Sequence, residues 1–266
     1  MEKITVLVSG ACGRMGQEVV KAVVRDESLE LVGAVDKHHA GKDIGEIVGL
    51  GKLNVPIVAD LAEALQQGKA SVMVDFTNPD AVMPNIRLAL NNGVAPVVGT
   101  TGFSTDDVQE VRALCQKTGV NALIAPNFAI GAILLMKLSV QAAKYMPHVE
   151  IIELHHDQKL DAPSGTALRT AELIAEVRGE MKQGHPNEVE KIPGSRGGQL
   201  AGIPLHSVRL PGYVAHQEVI FGGLGQTLTL RHDSISRESF MPGVTLACKK
   251  VLTTSGLTFG LENILD

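Results

Sequence analysis

Aromatic residues are scarce in this chain, which has no tryptophan, 2 tyrosines and 6 phenylalanines among 266 residues. Proteins that bind single-stranded nucleic acid stack its bases on aromatic side chains, and this chain offers few such platforms. The chain also lacks an excess of positive charge, because its 24 basic residues are outnumbered by 29 acidic ones. Without a basic surface to hold phosphate groups, nucleic acid is not an expected partner.

Cysteines and long apolar runs are also few. Cys12, Cys115 and Cys248 show no CxxC spacing, so the sequence predicts neither a disulfide framework nor a zinc ribbon, and a reducing cytoplasm is the expected location. The longest apolar run, residues 128–136, is too short to span a bilayer. The opening MEKITVLVSG has no basic region before a long apolar stretch, which is not typical of a signal peptide. We therefore expect a cytoplasmic protein without a membrane partner.

The first half of the chain alternates short apolar runs with amphipathic segments. The runs are 4–8, 29–35, 71–76, 95–99 and 121–125, and the helical patterns between them are 17–27, 60–68, 79–93 and 104–119. Strands that alternate with helices need crossover connections, which produce a mainly parallel sheet covered by helices on both faces. The pattern predicts a doubly wound, Rossmann-type α/β domain.

The second half of the chain has a different pattern of apolar and polar residues. A long apolar helix is predicted over 129–146, followed by a strand at 149–154 and a helix at 166–179. Residues 205–210, 216–222 and 226–234 then alternate apolar and polar side chains between short turns, which is typical of antiparallel strands. We therefore expect a second, α+β domain with a mixed, mainly antiparallel sheet. A final helix is predicted within 237–256, and it could pack on either domain.

A glycine-rich turn follows the first strand. SGACGRMG places Gly10, Gly13 and Gly16 between a strand and a helix, as GxxGxxG. Glycines let a backbone approach a pyrophosphate, whose charge then lies at the helix start. Asp36, 20 positions beyond Gly16, ends the second strand, where an acid binds the adenosine ribose. The adjacent Lys37 could pair with a 2′-phosphate, so both NADH and NADPH are expected; the alternative is an ordinary strand-to-helix turn with a surface acid.

Two further loops, VVGTTGF (97–103) and IAPNF (124–128), follow successive strands of the same sheet. In open parallel sheets, ligands bind at the carboxyl ends of the strands. These loops are therefore candidate cofactor contacts, although ordinary turns would show the same residues.

The stretch ELHHDQKLDAPSGTA (153–167) is the densest group of polar residues. His155 and His156 end a strand, where neighbouring side chains point to opposite faces unless the strand has already broken. Ser164 is a plausible N-cap, and the amides of Gly165 and Thr166 in the first turn suit a carboxylate. Lys159 offers a cationic acid, and an imidazole exchanges protons near neutral pH. This combination suits reduction of an anionic unsaturated substrate that takes a hydride from a nicotinamide and a proton from the protein.

Three other interpretations of this stretch stay open. A metal site would need more ligands than two adjacent histidines, and neither HExxH nor a cysteine cluster occurs, so no metal is predicted. The stretch could be a solvated polar loop. Its histidines could also be purely structural, which is how we interpret His206, His216 and His232.

Taken in chain order, VSGACGRMG, VVGTTGF, APNF, ELHHDQKLDAPSGTA and AHQEVIFGGLGQTLTLRHDSISRESF resemble the 4-hydroxy-tetrahydrodipicolinate reductase family over essentially the whole chain. HHxxKxDAPSGTA is highly specific, whereas the glycine motif is not. The resemblance implies NAD(P)H-dependent reduction of a small dicarboxylate in lysine and diaminopimelate biosynthesis. It further implies a dinucleotide-binding domain (1–127 with 241–266), a substrate-binding and oligomerisation domain (128–240), a homotetramer, and a hinge that closes over the substrate.

The resemblance also assigns roles by position. His155 matches the family's proton donor and acceptor and Lys159 its proton donor, while His156 matches a substrate contact and Gly165 with Thr166 the carboxylate-binding pair. The residues that match cofactor contacts are Gly10, Ala11, Cys12, Gly13, Arg14, Met15, Asp36, Lys37, Gly99, Thr100, Thr101, Ala125, Pro126, Asn127 and Phe128.

Two positions depart from the family pattern. Asn78 stands where several members have an arginine, which removes a cationic contact near the cofactor, so no NADPH preference is predicted. Gln217 replaces a histidine; it is expected to be remote from the HHxxK motif and to have no effect. Two rival functions remain compatible with these residues: another NAD(P)-dependent dehydrogenase acting on an amino acid or semialdehyde, and a non-catalytic NAD(P)-sensing protein.

Overall fold

The computed structural model describes residues 2–179 and 181–265. The chain divides into two compact units, Met1–Phe128 with Phe240–Asp266, and Ala129–Ser239. The domain bounds that the resemblance implies differ from these by one residue at each boundary. Residues 1 and 266, the outer limits of the implied first domain, lie outside the described residues.

The helices and strands follow one another in this order: β1 (Ile4–Ser9), α1 (Arg14–Arg25), β2 (Leu29–Val35), α2 (Ile44–Ile47), β3 (Ile57–Val58), α3 (Leu61–Gln66), β4 (Val72–Asp75), α4 (Pro79–Asn91), β5 (Ala95–Val98), α5 (Thr105–Thr118), β6 (Ala122–Ile124), α6 (Ile130–Ala143), β7 (His148–His155), α7 (Gly165–Arg178), β8 (Gly198–Leu200), β9 (Ile203–Arg209), β10 (Ala215–Gly223), β11 (Gln226–Ser234), α8 (Met241–Lys250) and β12 (Leu257–Phe259).

The first unit is built on a parallel sheet with the strand order β12-β6-β5-β4-β1-β2-β3. Every residue of β4 and β5 is buried, as expected for central strands covered on both faces. Helix α4 contributes to two clusters of core side chains, one shared with α5 and the other with α3, while α1 and α8 contact each other and β1. The predicted doubly wound sheet is confirmed.

The second unit has a five-stranded sheet in the order β11-β10-β7-β9-β8. Only β7 and β9 run parallel among its pairs, so the predicted mixed, mainly antiparallel sheet is also confirmed. Along β7, Val149, Ile151 and Glu153 are buried, whereas the residues between them are partly exposed. The buried face packs against α6 and α7 around Val149, Ile151 and Phe221.

Local sequence signals account for several helix ends. The predicted capping box at the start of α5 is present, because the Ser104 side chain accepts from the Asp107 amide and the Asp107 side chain accepts from the Ser104 amide. Gly119 ends this helix at φ 71°, in the left-handed region that glycine adopts without strain.

Other elements were not predicted. Helix α2 and strands β3, β8 and β12 are two to four residues long, too short to show a period. The final helix is shorter than 237–256, since a 3₁₀ turn at Arg237–Phe240 precedes α8. Helix α8 belongs to the first unit, as the resemblance implies.

Close packing of α8 predicts a specific sensitivity to substitution. A Cβ on Gly243 would lie 2.0 Å from the Phe128 carbonyl oxygen, so an alanine there must displace backbone. We expect Gly243→Ala to lower the free energy of unfolding by roughly 1–3 kcal/mol, although alanine is the better helix former. Urea unfolding measures the change.

The matched control for this experiment is Gly165→Ala, which also places an alanine in a helix. A Cβ on Gly165 meets no atom within 4 Å, so this variant should keep or raise the wild-type urea midpoint. Equal urea midpoints for Gly243→Ala and the wild type would show that the backbone near Phe128 accommodates a side chain at position 243 without loss of stability.

Candidate functional site

The glycine turn between β1 and α1 leaves no room for side chains at two of its glycines. Gly10 has φ 77°, and a Cβ there would lie 2.7 Å from the Phe76 carbonyl oxygen. A Cβ on Gly16 would lie 2.0 Å from the Gly10 oxygen. Gly13 is the N-cap of α1, and no side chain caps this helix start. These features fit a turn that a pyrophosphate approaches closely.

Asp36 lies next to the glycine turn in space. Its carboxylate accepts hydrogen bonds from the Cys12 amide and the His38 amide, each at 2.9 Å. A carboxylate has lone pairs for further donors, such as ribose hydroxyls. Lys37 is exposed beside it. The structure therefore brings together the two predicted parts of the dinucleotide motif.

Cys12 occupies the middle position of the glycine turn and faces this carboxylate. Partial burial, and then the negative charge of Asp36, raise the pKa of the Cys12 thiol to about 11. The group therefore stays protonated near neutral pH, where only a thiolate would be nucleophilic.

A buried carboxylate that the sequence analysis missed organises the neighbouring loops. Asp75, at the end of β4, is 0% exposed. It accepts from the Thr77 hydroxyl at 2.7 Å, the Asn85 amide at 2.7 Å and the Thr100 hydroxyl at 3.0 Å. Thr100, a predicted cofactor contact, is thereby fixed at the end of β5. The sequence contained a signal for this role, because Asp75 is an acid at the end of an otherwise apolar strand, and a buried acid needs hydrogen-bond partners.

The remaining predicted cofactor residues lie at the same carboxyl edge of the sheet but differ in exposure. Thr101 and Pro126 are exposed, whereas Ala11, Ala125 and Phe128 are buried. The Phe128 ring packs against Phe76, with 5.8 Å between the ring centroids. A Cβ on Gly99 would strike the Phe76 ring.

Asn78 has a local structural role. Its side-chain oxygen accepts from the amides of Asp80 and Ala81, each at 3.1 Å, and so caps α4. The residue that stands in place of a family arginine therefore stabilises a helix start instead of offering a positive charge.

In the second unit, the two neighbouring histidines have different positions. His155 is the last residue of β7, and His156 lies in the loop after it. The His155 side chain is 15% exposed, whereas His156 is exposed. Because the strand ends between them, the two rings do not have to point to opposite faces of the sheet.

Glu153 is a buried charged residue that the sequence analysis also missed. Its Oε2 lies 2.5 Å from His155 Nδ1, and Arg209 donates to both oxygens at 2.9 and 2.7 Å. Burial alone would raise the pKa of Glu153, but hydrogen bonds from His155, Arg209 and Ser207 outweigh it and hold the pKa at about 2. The carboxylate is therefore ionised throughout the neutral range.

The alternation of β7 and β9 contained the signal for this pair. Glu153 shares the core face with Ile151, and Arg209 shares its face of β9 with Ile203 and Leu205, which are buried. Charged residues at core positions of two strands are stable only when they are paired. The alternation could thus have predicted a paired charge at this position, and it places His155, two residues further along β7, on the same face as Glu153.

Lys159 lies in the loop that Arg209 attaches to the sheet. The Lys159 ammonium donates to Asp161 at 2.7 Å, and its amide donates to the His156 carbonyl at 3.2 Å. Arg209 donates to the Asp161 carbonyl at 2.8 Å. The hydrogen bond with Lys159 lowers the pKa of the exposed Asp161 carboxyl group.

The predicted N-cap of α7 is confirmed. The Ser164 hydroxyl accepts from the Ala167 amide at 3.2 Å, and Gly165 is the first helical residue. The Ser164 amide donates to Glu153 at 3.2 Å. Gly165 and Thr166 therefore lie at the positive end of the helix dipole, near the group that holds His155.

The expectation that Gln217 is remote from the HHxxK motif is wrong for the folded chain. Strand β10 pairs with β7 so that Gln217 lies opposite Glu153. The Gln217 amide donates to the Thr170 hydroxyl at 2.7 Å, on helix α7. Antiparallel pairing brought these positions together, and no local pattern indicates that register.

Across residues 2–179 and 181–265, no group of three or more His, Cys, Asp and Glu side chains could hold a metal ion. Within those same ranges, no helix has the length and apolar character needed to cross a membrane.

Comparisons with known proteins identify relatives of both halves of the chain. The family model described as dihydrodipicolinate reductase, N-terminus, matches residues 4–128, and the model for the C-terminus matches residues 131–265.

Two relatives that match this chain over its full length share the same name. A 4-hydroxy-tetrahydrodipicolinate reductase from Desulfitobacterium hafniense (strain DSM 10664 / DCB-2) is 59% identical over 267 residues, covering 100% of both chains. One from Geobacillus kaustophilus (strain HTA426) is 54% identical over 263 residues, covering 99% of both. The solved structure of dipicolinate-bound dihydrodipicolinate reductase from Paenisporosarcina sp. TG-14 has a TM-score of 0.88 and 49% identity, covering 99% of this chain and 100% of that one.

Proposed function

The chain belongs to the dihydrodipicolinate reductase family, and from that premise we propose that it reduces 4-hydroxy-tetrahydrodipicolinate to tetrahydrodipicolinate with protonation by Lys159 and His155. It is an oxidoreductase of lysine and diaminopimelate biosynthesis with a Rossmann-type, NAD-binding fold. The observation that supports the proton-transfer roles best is the loop after β7. There, His155 is bound to Glu153, and Arg209 attaches the Lys159 loop to the same carboxylate.

The glycine turn fits a dinucleotide, because Gly10 and Gly16 have no space for a Cβ and Asp36 is positioned beside the turn. We propose that the turn 10–15 holds the pyrophosphate, Asp36 and Lys37 the adenosine ribose, and the loops 99–101 and 125–128 the rest of the cofactor. When bound, NADH or NADPH supplies a hydride. Lys37 is the residue that distinguishes NADPH from NADH, since only NADPH carries a 2′-phosphate.

The proposed substrate is a cyclic imine that carries two carboxylates. The related reductase from Paenisporosarcina sp. TG-14 binds dipicolinate, which is a ring with two carboxylates. In this chain, Gly165 and Thr166 begin α7, so their amides lie where a helix favours an anion. We assign one carboxylate to these amides and a further substrate contact to the exposed His156.

The proton chemistry follows from the residues of the loop. Loss of water from the hydroxylated precursor gives a conjugated imine, which accepts the hydride at C4 and then needs one proton. The Lys159 ammonium donates that proton, and His155 assists the transfer through its imidazole. No metal takes part in this scheme.

A homotetramer in the cytoplasm is also part of the proposal. Ile152, Leu154 and Ile220 are partly exposed on the face of the second sheet opposite the core, which supports an interface there. All three cysteines are free thiols, as is usual in a reducing compartment.

Removing the ammonium of Lys159 tests its role as proton donor. We expect Lys159→Ala to lower kcat by about 10²- to 10⁴-fold, the range for losing a general acid, and to leave the affinity for NADH nearly intact. Steady-state assays on the cyclic substrate and NADH titration measure the two quantities. Lys144→Ala, which removes an exposed lysine next to α6, is the control and should match the wild type. Normal turnover by Lys159→Ala would refute the assignment.

Lys37→Ala tests how the cofactors are distinguished. Losing a charge-assisted contact with the 2′-phosphate should raise KM for NADPH by about 10-fold, while KM for NADH, which lacks that phosphate, stays the same. Lys42→Ala, another exposed lysine in the following loop, should change neither value. Equal changes for both cofactors, or none, would mean that Lys37 does not contact the 2′-phosphate.

The oligomeric state is measured by analytical ultracentrifugation. We expect a species of four times the 28.2 kDa chain mass. Ile220→Asp places a charge on the outer face of the sheet and should shift the protein to smaller species, because burying an unpaired carboxylate at an interface is costly. A monomeric wild-type protein would contradict the tetramer.

A further inference from the structure

The carboxylate of Glu153 has no role in the proposed reaction, yet it binds a residue that does. We propose that Glu153 is a positioning residue, whose carboxylate determines which nitrogen of His155 carries the proton, and that Arg209 holds this carboxylate in place. The inference rests on the proposed role of His155 and deepens it, because it specifies Nε2 as the nitrogen that exchanges protons with the substrate.

Geometry defines the interaction. Glu153 Oε2 lies 2.5 Å from His155 Nδ1, so the carboxylate faces this nitrogen and leaves Nε2 for another partner. Arg209 Nη1 donates to Oε2 at 2.9 Å, and Arg209 Nη2 donates to Oε1 at 2.7 Å. The Ser164 amide adds a donor to Oε1 at 3.2 Å. Both oxygens are thus used, and the carboxylate cannot rotate without losing several hydrogen bonds.

Burial makes this arrangement costly to keep for stability alone. Glu153 is 0% exposed, and a carboxylate loses its hydration when it is buried. Well-packed apolar residues often stabilise a fold as much as a buried ion pair does, or more. The ion pair at the end of a core strand, in contact with His155, is therefore better explained by what it does to the imidazole.

The charge of Glu153 determines the tautomer of its neighbour. Because its pKa is held at about 2, Glu153 is an acceptor at every pH at which an imidazole gains or loses a proton. A neutral imidazole next to this acceptor keeps its proton on Nδ1, which leaves the Nε2 lone pair available as a base. After Nε2 takes a proton, the same carboxylate stabilises the cation.

Among the described residues, few other charged groups surround His155. Strand β9 contributes Arg209 directly opposite in the register, and β10 faces His155 with an alanine. The following loop contributes the exposed His156 and the ion pair of Lys159 with Asp161, 2.7 Å apart. Helix α7 begins beside this loop with uncharged residues. Glu153 is thus the carboxylate that is hydrogen-bonded to His155.

The direct experiment is ¹⁵N NMR of the imidazole rings in the full-length wild-type protein, with and without NADH. We expect His155 at neutral pH to be protonated on Nδ1, and to lose that preference in Glu153→Gln. A neutral His155 ring that carries its proton on Nε2 in the wild type would overturn the proposal. This readout needs no turnover and no folded variant, so it decides the inference even if Glu153→Gln does not fold.

Kinetics provide the second readout. Removing a carboxylate that orients a metal-bound histidine lowers metal affinity or activity by about 10- to 100-fold. We expect a fall of that size in kcat for Glu153→Gln, with KM for NADH unchanged. A purely structural role would lower the amount of folded, active enzyme and leave kcat per active site unchanged. Glu153→Asp keeps the carboxylate and should restore part of the lost kcat.

Glu150→Gln is a matched control on the same strand. Glu150 lies on the opposite face of β7, 2.9 Å from His206 Nε2 and 2.7 Å from Arg196 Nη2, so this variant also removes a carboxylate shared by a histidine and an arginine. At an unchanged oligomeric mass, it should keep the wild-type kcat. A wild-type kcat for Glu153→Gln, or the same fall for Glu150→Gln, would refute the positioning role. If the wild type does not reduce the cyclic substrate, the proposed function fails, and the NMR result alone decides the Nδ1 assignment.

Discussion

A single buried carboxylate connects the parts of the second unit that carry the proposed chemistry. Glu153 binds His155 on its own strand, Arg209 on β9 and the Ser164 amide at the start of α7. Arg209 also donates to the Asp161 carbonyl, which attaches the intervening loop to the same ion pair. Because a desolvated charge must be fully hydrogen-bonded, satisfying Glu153 sets the positions of these groups together.

The first unit follows a related principle with neutral donors. Asp75 is buried at the end of β4, where it binds the hydroxyls of Thr77 and Thr100 and the amide of Asn85. Asp36, at the end of β2, binds the amide of Cys12 in the glycine turn. Parallel strands bring their carboxyl ends to one edge, and acids at those ends give the loops fixed partners. Each unit therefore orders its loops around carboxylates at strand ends.

Features whose whole signal lies in one segment of the chain were predicted correctly. The capping box at Ser104, the N-cap at Ser164 and the strand at 29–35 each depend on residues that are neighbours in the chain. Strands β3 and β12 were not predicted, because they are two and three residues long and exist through their pairing with β2 and β6. Asp75 and Glu153 were missed for a different reason: each was treated as part of an apolar strand, and the need of a buried acid for partners was not considered.

The sequence by itself determined the two fold classes, the helix caps, the glycine turn and the specific HHxxKxDAPSGTA stretch, because periodicity, capping and turn formation depend on residues close together in the chain. Only the tertiary structure decided which groups satisfy the buried charges. Arg209 meets Glu153 across 56 positions, and Gln217 lies opposite Glu153 through the pairing of β10 with β7. Strand register and burial are properties of the folded sheet, so the different environments of the adjacent His155 and His156 emerge only when the strand ends between them.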